Sequence, residues 1–259
     1  MLNTTVRTDR MSWTEYRRRL AAQPVVVLPA GAHEQHGPHL PMGTDAIFAT
    51  DMAEAVARQM NGLVLPTLCY GYKSQARSGG GQTFIGTASL DGHTLSLQAL
   101  DILRELGRHG VTKVVVLDGH YENQWFLTEA IELAQREFRL AGICMRIIRV
   151  EYWNFCPQSV LDEVFDCNFP GYDLEHAALI ETSMMLHWHP ELVDLQSIPD
   201  DPPARFAHFD HYPQDGLGVP ASGVLAPAAA ASAQKGQLIC DATIAAMVSS
   251  LGGFFARDQ

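Results

Sequence analysis

The chain has 259 residues, 47% of them hydrophobic and 18% charged, a balance that supports a folded protein with an ordinary core and argues against extended disorder. Its 29 acidic and 18 basic residues give a formal net charge of −11, which argues against the clustered lysine and arginine surface that nucleic acid or an anionic membrane requires and leaves small molecules as the expected partners. Five cysteines (Cys69, Cys144, Cys156, Cys167 and Cys240) are an odd number with no CxxC pair, so reduced thiols are expected rather than disulfides or zinc–thiolate sites.

The N-terminal stretch MLNTTVRTDRMSWTEYRRRLAA lacks the uninterrupted apolar segment of a signal peptide. No apolar run reaches the roughly 18 residues of a spanning helix, and a cytoplasmic location is the expectation. A helix is predicted over residues 13–22, with Ser12 as its N-cap, followed by an apolar β-branched run at 24–31 that reads as a buried parallel strand. The polar stretch HEQHGPHLPMGTD, residues 33–45, therefore follows the carboxyl end of a strand. Thr44 is placed to cap a second helix over 45–60, with Asp45 in its first turn.

A second strand is expected within 62–71, and the glycine-rich segment 74–92 reads as loop. A helix over 91–109, a strand over 112–120 (TKVVVLDGH), a helix over 123–140 and a strand over 144–152 follow. This alternation predicts an α/β fold with a mostly parallel sheet and right-handed crossovers. Later elements are less regular: a helix over 175–188, a proline-rich loop over 198–216, and a final helix near 234–251. No linker-like segment divides residues 1–259, so one domain is expected.

Ligands of open parallel sheets sit outside the carboxyl ends of the strands. Glu34, His36 and Asp45 follow the first strand, and His120 and Glu122 follow the third. If those strands are neighbours, three carboxylates and two imidazoles converge, a set suited to one or two divalent ions such as Zn or Mn. A shared carboxylate can hold two ions roughly 3.5 to 4 Å apart with an activated water between them. The competing reading is that each residue caps a turn or stays solvated. The SGGG loop (Ser78 to Gly81) lacks the lysine and spacing of a Walker loop, and remains open as a plain loop or a phosphate cradle. Glu175 and His176 stand at the start of the predicted 175–188 helix, and Trp153 and Tyr172 are the aromatic candidates for covering a flat, partly cationic ligand. His33, His39, His93, His187, His189, His208 and His211 are expected to be bystanders.

The stretches LPAGAHEQHGPHLPMGTD, YGYKSQARSGGG, TASLDG, DGHYEN and GYDLEHAALIETSMM resemble the creatininase family along nearly the whole chain. That resemblance implies a three-layer αβα fold, usually a hexamer, and a cyclic amidohydrolase with two divalent ions, Zn and/or Mn, in each subunit. It implies that Glu34 and His120 hold one ion, His36 and Glu122 the other, and Asp45 bridges them. It also implies creatinine or a related cyclic amide as substrate, contacted by Ser78, Tyr121, Trp153, Tyr172, Asp173 and Glu175, and opened by a metal-activated water with Glu122 and His176 as catalytic groups. His176 would pass a proton to the leaving ring nitrogen. The sequence departs from the family pattern at Tyr172, where creatininase has tryptophan, which keeps another small cyclic amide or a formamide open as the substrate. A metal-dependent binder that does not turn its ligand over is the rival of another class.

Overall fold

The computed structural model describes residues 5–256; the first four residues of the segment read for a signal peptide lie outside that range. Among the described residues four strands form one parallel sheet in the order β2-β1-β3-β4. They are β1 (Val26–Ala30), β2 (Leu63–Val64), β3 (Lys113–Asp118) and β4 (Arg146–Glu151). The central pair runs in register from Val26 opposite Val114 to Ala30 opposite Asp118. β1 and β3 are therefore neighbours, and the chain order reverses between them, which makes their carboxyl ends the switch point of the sheet.

Alternation along the strands feeds two cores. Val27, Val115, Leu117 and Val150 point to one face, where α2 (Thr44–Gln59), α6 (Gln158–Val164), α7 (Leu179–Trp188) and α8 (Ala233–Ala256) cover them. Val26, Leu28, Ala30, Val114 and Val116 point to the other, under α4 (Gly92–Arg108) and α5 (Gln124–Ala141). The short α1 (Trp13–Leu20) packs Tyr16 and Leu20 at the edge of this second core. The result is the expected three-layer αβα arrangement.

Most elements fall close to their predicted places, and the exceptions have local causes. Ser12 caps α1 through Glu15 N, as expected. Thr44 does not cap α2: Gly43 holds that position, and the Thr44 hydroxyl donates to Pro41 O at 2.7 Å. The strand expected within 62–71 shortens to two residues, because Pro66 has no N–H to continue the ladder; an isolated bridge from Ala30 to Leu68 resumes it. The glycine-rich loop contains a short helix, α3 (Ala76–Gly79). The helix predicted from Glu175 begins only at Leu179, because Ala177 adopts a left-handed φ of 53° that interrupts any helical path.

One expectation about length also changes. α8 spans 24 residues and is long and apolar enough, by composition alone, to cross a membrane. Here it serves as a core helix, burying Ile239, Cys240, Ile244, Met247, Leu251 and Phe255 against the α2 and α7 side of the sheet.

Candidate metal centre

The chain leaves β1 at Ala30 and re-enters regular structure at Thr44, so the intervening loop must fold back over the end of the sheet. Two glycines allow α2 to begin directly on that end. A Cβ at Gly31 would lie 2.4 Å from Ala46 N, and one at Gly119 would lie 2.7 Å from Asp45 O. Any larger residue at either position would push the first turn of α2 away, and Asp45 with it.

Glu34, His36, Asp45, His120 and Glu122 are all nearly inaccessible to solvent, so the polar loop of the sequence is an interior feature. Their donor atoms sort into overlapping groups whose atoms lie within 4.8 Å of one another. One contains Glu34, Asp45 and His120; another contains His36, Asp45 and Glu181; a third joins Glu34 and His36 to His176. Asp45 is common to the first two: its Oδ2 lies 2.9 Å from His120 Nδ1 and its Oδ1 3.0 Å from His36 Nε2. Glu34 Oε2 is buried with no hydrogen-bond partner, and His36 Nε2 and Asp45 Oδ2 have only these ion-pair contacts, at angles outside hydrogen-bond geometry. Orphaned donors and acceptors of this kind are costly in a protein interior unless an ion occupies the space between them. Mixed imidazole and carboxylate ligation around a shared carboxylate suits two ions of the Zn or Mn type.

Glu181 was not anticipated; its carboxylate joins His36 and Asp45 in one of these groups. Glu181 Oε2 lies 3.7 Å from His36 Nε2 and accepts from Ala177 N at 2.6 Å. Glu122 turns elsewhere: Oε1 accepts from Gln75 N at 2.8 Å and from the Ser78 hydroxyl at 2.5 Å, while Oε2 is 3.3 Å from His120 Nε2. The available signal for Glu181 was a single acid inside the apolar run ALIETSMM, on a helix whose other residues nearly all belong to the core.

Charge is balanced by pairing. Burial opposes charge on both rings, yet Asp45 and Glu181 around His36, and Glu34 and Glu122 around His120, outweigh it, so both imidazoles stand well above the ordinary histidine value. Burial pushes the Glu122 carboxyl up. Burial and the neighbouring His36 push His176 down. These protons occupy positions that cations would take.

The space above the cluster is lined by Ser78, Tyr121, Glu122, Trp153, Tyr172 and His176, among others. Of the residues singled out from sequence, only His36 and Asp173 are not on its wall. His36 lies beneath it, fully buried, and Asp173 sits beside Tyr121, where its charge together with burial raises the tyrosine pKa, burial being the larger cause. Trp153 stacks on Tyr121 with ring centroids 6.5 Å apart and planes 22° from parallel, and the Tyr172 hydroxyl donates to Trp153 O at 2.8 Å. Glu175 caps α7, accepting from Ile180 N at 2.8 Å, and burial raises its pKa to about 8.

Two buried amides that drew no attention in the sequence tie these parts together. Asn123 Nδ2 donates to Gly31 O and to Asp118 Oδ1, each at 3.1 Å, and its Oδ1 accepts from Tyr72 N at 2.8 Å. Gln35 joins the metal loop to the glycine-rich loop through Gly79 O at 3.1 Å. His39, expected to be a bystander, is buried and lies with Nε2 2.8 Å from the Thr182 hydroxyl, beside Glu181 on α7. Burial holds its pKa down at about 4.

The family model described as Creatinine amidohydrolase matches residues 9–251. Creatinine amidohydrolase of Pseudomonas putida is 44% identical over 244 residues, covering 93% of this chain and 94% of that protein. A solved manganese form of creatininase is 43% identical with a TM-score of 0.95, covering 97% of this chain and 99% of its own. A mutant creatininase complexed with creatine is 42% identical with a TM-score of 0.94 and the same coverage.

Proposed function

The chain belongs to the creatininase family, and we propose that it interconverts creatinine and creatine by hydrolytic opening of the five-membered ring. The observation that carries this reading is the shared Asp45 carboxylate, which joins two three-residue donor groups directly beneath an aromatic-walled pocket. Glu34, Asp45 and His120 would hold one divalent ion, and His36, Asp45 and Glu181 the other. When bound, the ions polarise the lactam carbonyl and lower the pKa of the attacking water.

The chain's own groups supply the rest. Glu122, held by Ser78 and Gln75 N, faces the pocket as the group that accepts a proton from the attacking water. The water oxygen bonds to the carbonyl carbon, the ring C–N bond breaks, and His176 delivers a proton to the nitrogen that departs. Every atom of water and substrate remains in creatine, so the reaction is expected to be reversible. Trp153, Tyr121 and Tyr172 would sandwich the flat, cationic guanidine portion of the substrate and exclude bulk water. Asp173 and Glu175 support that wall, Asp173 through Tyr121 and Glu175 by fixing the turn that leads into α7.

The test is a creatinine-hydrolysis assay of metal-stripped protein with Zn or Mn added back; activity that ignores both metals would contradict the assignment. A second reading has one specific support. Tyr172 is smaller than the tryptophan of creatininase and spends its hydroxyl on Trp153 O, so the pocket is shaped differently at that wall. A panel of creatinine, hydantoin-like rings and formamides distinguishes creatinine from another small amide, and saturable binding without product would indicate a non-catalytic binder. We further take the chain to be one amidohydrolase domain acting in the cytoplasm as a homo-oligomer, a hexamer by family resemblance, with no nucleic-acid or membrane partner. Light scattering on the purified protein tests the assembly.

A further inference from the structure

We infer that Gln35 is a positioning residue that fixes His176 as the Nε2–H tautomer, with a bare Nδ1 turned toward the metal centre, so that His176 enters the reaction as a proton acceptor. The inference rests on the proton-transfer reading of His176 above and deepens it.

His176 Nε2 is 2.8 Å from two atoms of Gln35, the main-chain O and the side-chain Nε2. Only one of these can be its hydrogen-bond partner. Gly37 N donates to Gln35 Oε1 at 2.8 Å, which establishes which end of the amide is oxygen. The two hydrogens of the NH2 group then meet Gly79 O at 3.1 Å and Gly223 O at 3.0 Å. None remains for the imidazole. A bare ring nitrogen facing a carbonyl oxygen at that distance would set two lone pairs against each other, so Nε2 carries the hydrogen and donates it to Gln35 O. In the neutral ring the other nitrogen is then unprotonated, and Nδ1 is the atom that faces Glu34 Oε1, 3.8 Å away.

The same arrangement accounts for glycines that the sequence left unexplained. A Cβ at Gly223 would lie 2.1 Å from Gln35 Oε1, and one at Gly80 2.7 Å from Gln35 Nε2. The SGGG loop and Gly223 bring bare backbone to a buried glutamine, a task distinct from cradling phosphate. Leu225 N donates to His176 O at 3.2 Å, so the segment that receives Gln35 also holds the His176 backbone. With Nδ1 unprotonated, His176 takes the remaining proton of the added water, the first having gone to Glu122, and releases it from that same nitrogen to the ring nitrogen as the C–N bond breaks. No proton need leave Nε2. The wrong tautomer would present a donor where an acceptor is required, an error that is costly in histidine catalysis generally.

Two measurements test this on the metal-loaded protein. In zinc-loaded protein labelled with 15N-histidine, with the His176 signals identified by their loss in His176→Asn, the ring should show a protonated Nε2 and an unprotonated Nδ1. The opposite tautomer, or an even mixture, overturns the assignment, and this result needs no Gln35 variant to fold. Separately, Gln35→Met should lower kcat roughly tenfold or more while KM for creatinine and metal content stay near wild type. In a His176→Ala background the same substitution should have little further effect on kcat. A drop that persists in that background means Gln35 acts through the metal loop and overturns the proposal. If His176→Ala alone keeps wild-type kcat, the proton-transfer reading itself fails, whatever tautomer the spectrum shows.

Discussion

Asp45 Oδ2, in the first turn of α2, lies 2.9 Å from Nδ1 of His120, at the end of β3. The contact joins the two loops that carry the donor atoms, and Asp45 Oδ1 extends it to His36. Everything proposed for the site depends on this carboxylate being shared.

Glu181→Gln is expected to weaken the ion held with His36 and Asp45, so that metal content falls toward about one ion per chain. Glu122→Gln should keep both ions and lower kcat by roughly a hundredfold or more, because the altered group no longer accepts a proton. Elemental analysis beside steady-state kinetics separates them, and retention of both ions in the Glu181 variant would remove it from the ligand set.

Metal binding must displace protons from His36 and His120, whose pKa values Asp45 and Glu181, and Glu34 and Glu122, raise against the opposing effect of burial. Both folded-state values lie above the ordinary one, so a bound proton competes with the metal to higher pH than on a free imidazole. Apparent metal affinity should therefore rise with pH through and beyond neutrality. Calorimetric titration of Zn in buffers of different ionisation enthalpy should record proton release; none would mean both rings are already neutral.

Tyr172→Phe removes the bond to Trp153 O and keeps the ring, and the loss of about 1 kcal/mol from the wall should raise KM for creatinine several-fold with a smaller change in kcat. Tyr172→Trp should preserve or raise creatinine turnover. Complete inactivity of the tryptophan variant would refute the stacking role.

Asn123→Leu leaves Gly31 O, Asp118 Oδ1 and Tyr72 N without their partner inside the protein. A destabilisation of about 2–4 kcal/mol is expected, read as a lower denaturation midpoint. An unchanged midpoint would mean that water replaces the amide at no cost.

Burial raises Glu175 to about 8 in the folded chain. An ordinary carboxyl ionises near pH 4.5, so the folded state holds the extra proton between that pH and about 8. The associated stability is fully present below this window and is lost as pH rises through it. Glu175→Gln keeps an acceptor for Ile180 N and should flatten that part of the stability profile, making the variant the more stable protein on the alkaline side. A parallel profile in the two proteins would show that Glu175 ionises freely.

The alternation of strands and helices, the parallel sheet and four of the clustered donor residues (Glu34, His36, Asp45 and His120) were legible in the sequence because they depend on local signals. β-branched runs mark buried strands, and acids and imidazoles gathered at two strand ends share a metal-ligand chemistry. Glu181 and Gln35 were not legible. Glu181 reaches His36 only because α7 packs on the same sheet face as α2, and its start is displaced by the left-handed Ala177. Gln35 and Gly223 are far apart along the chain, and nothing local in either shows that one fills the space left by the other's missing side chain.

By itself, then, the sequence determined which residue types were available for two divalent ions and which strand ends would present them, since those follow from short-range pattern and side-chain chemistry. Only the tertiary structure decided which of their atoms lie close together. It placed Asp45 between two groups, set Glu181 rather than Glu122 beside His36, and gave Glu122 to Ser78. The reason is geometric: donor atoms must meet within a few ångströms, and that proximity is set by the adjacency of β1 and β3 and by the packing of α2 and α7 on one face, neither of which is written in any single segment.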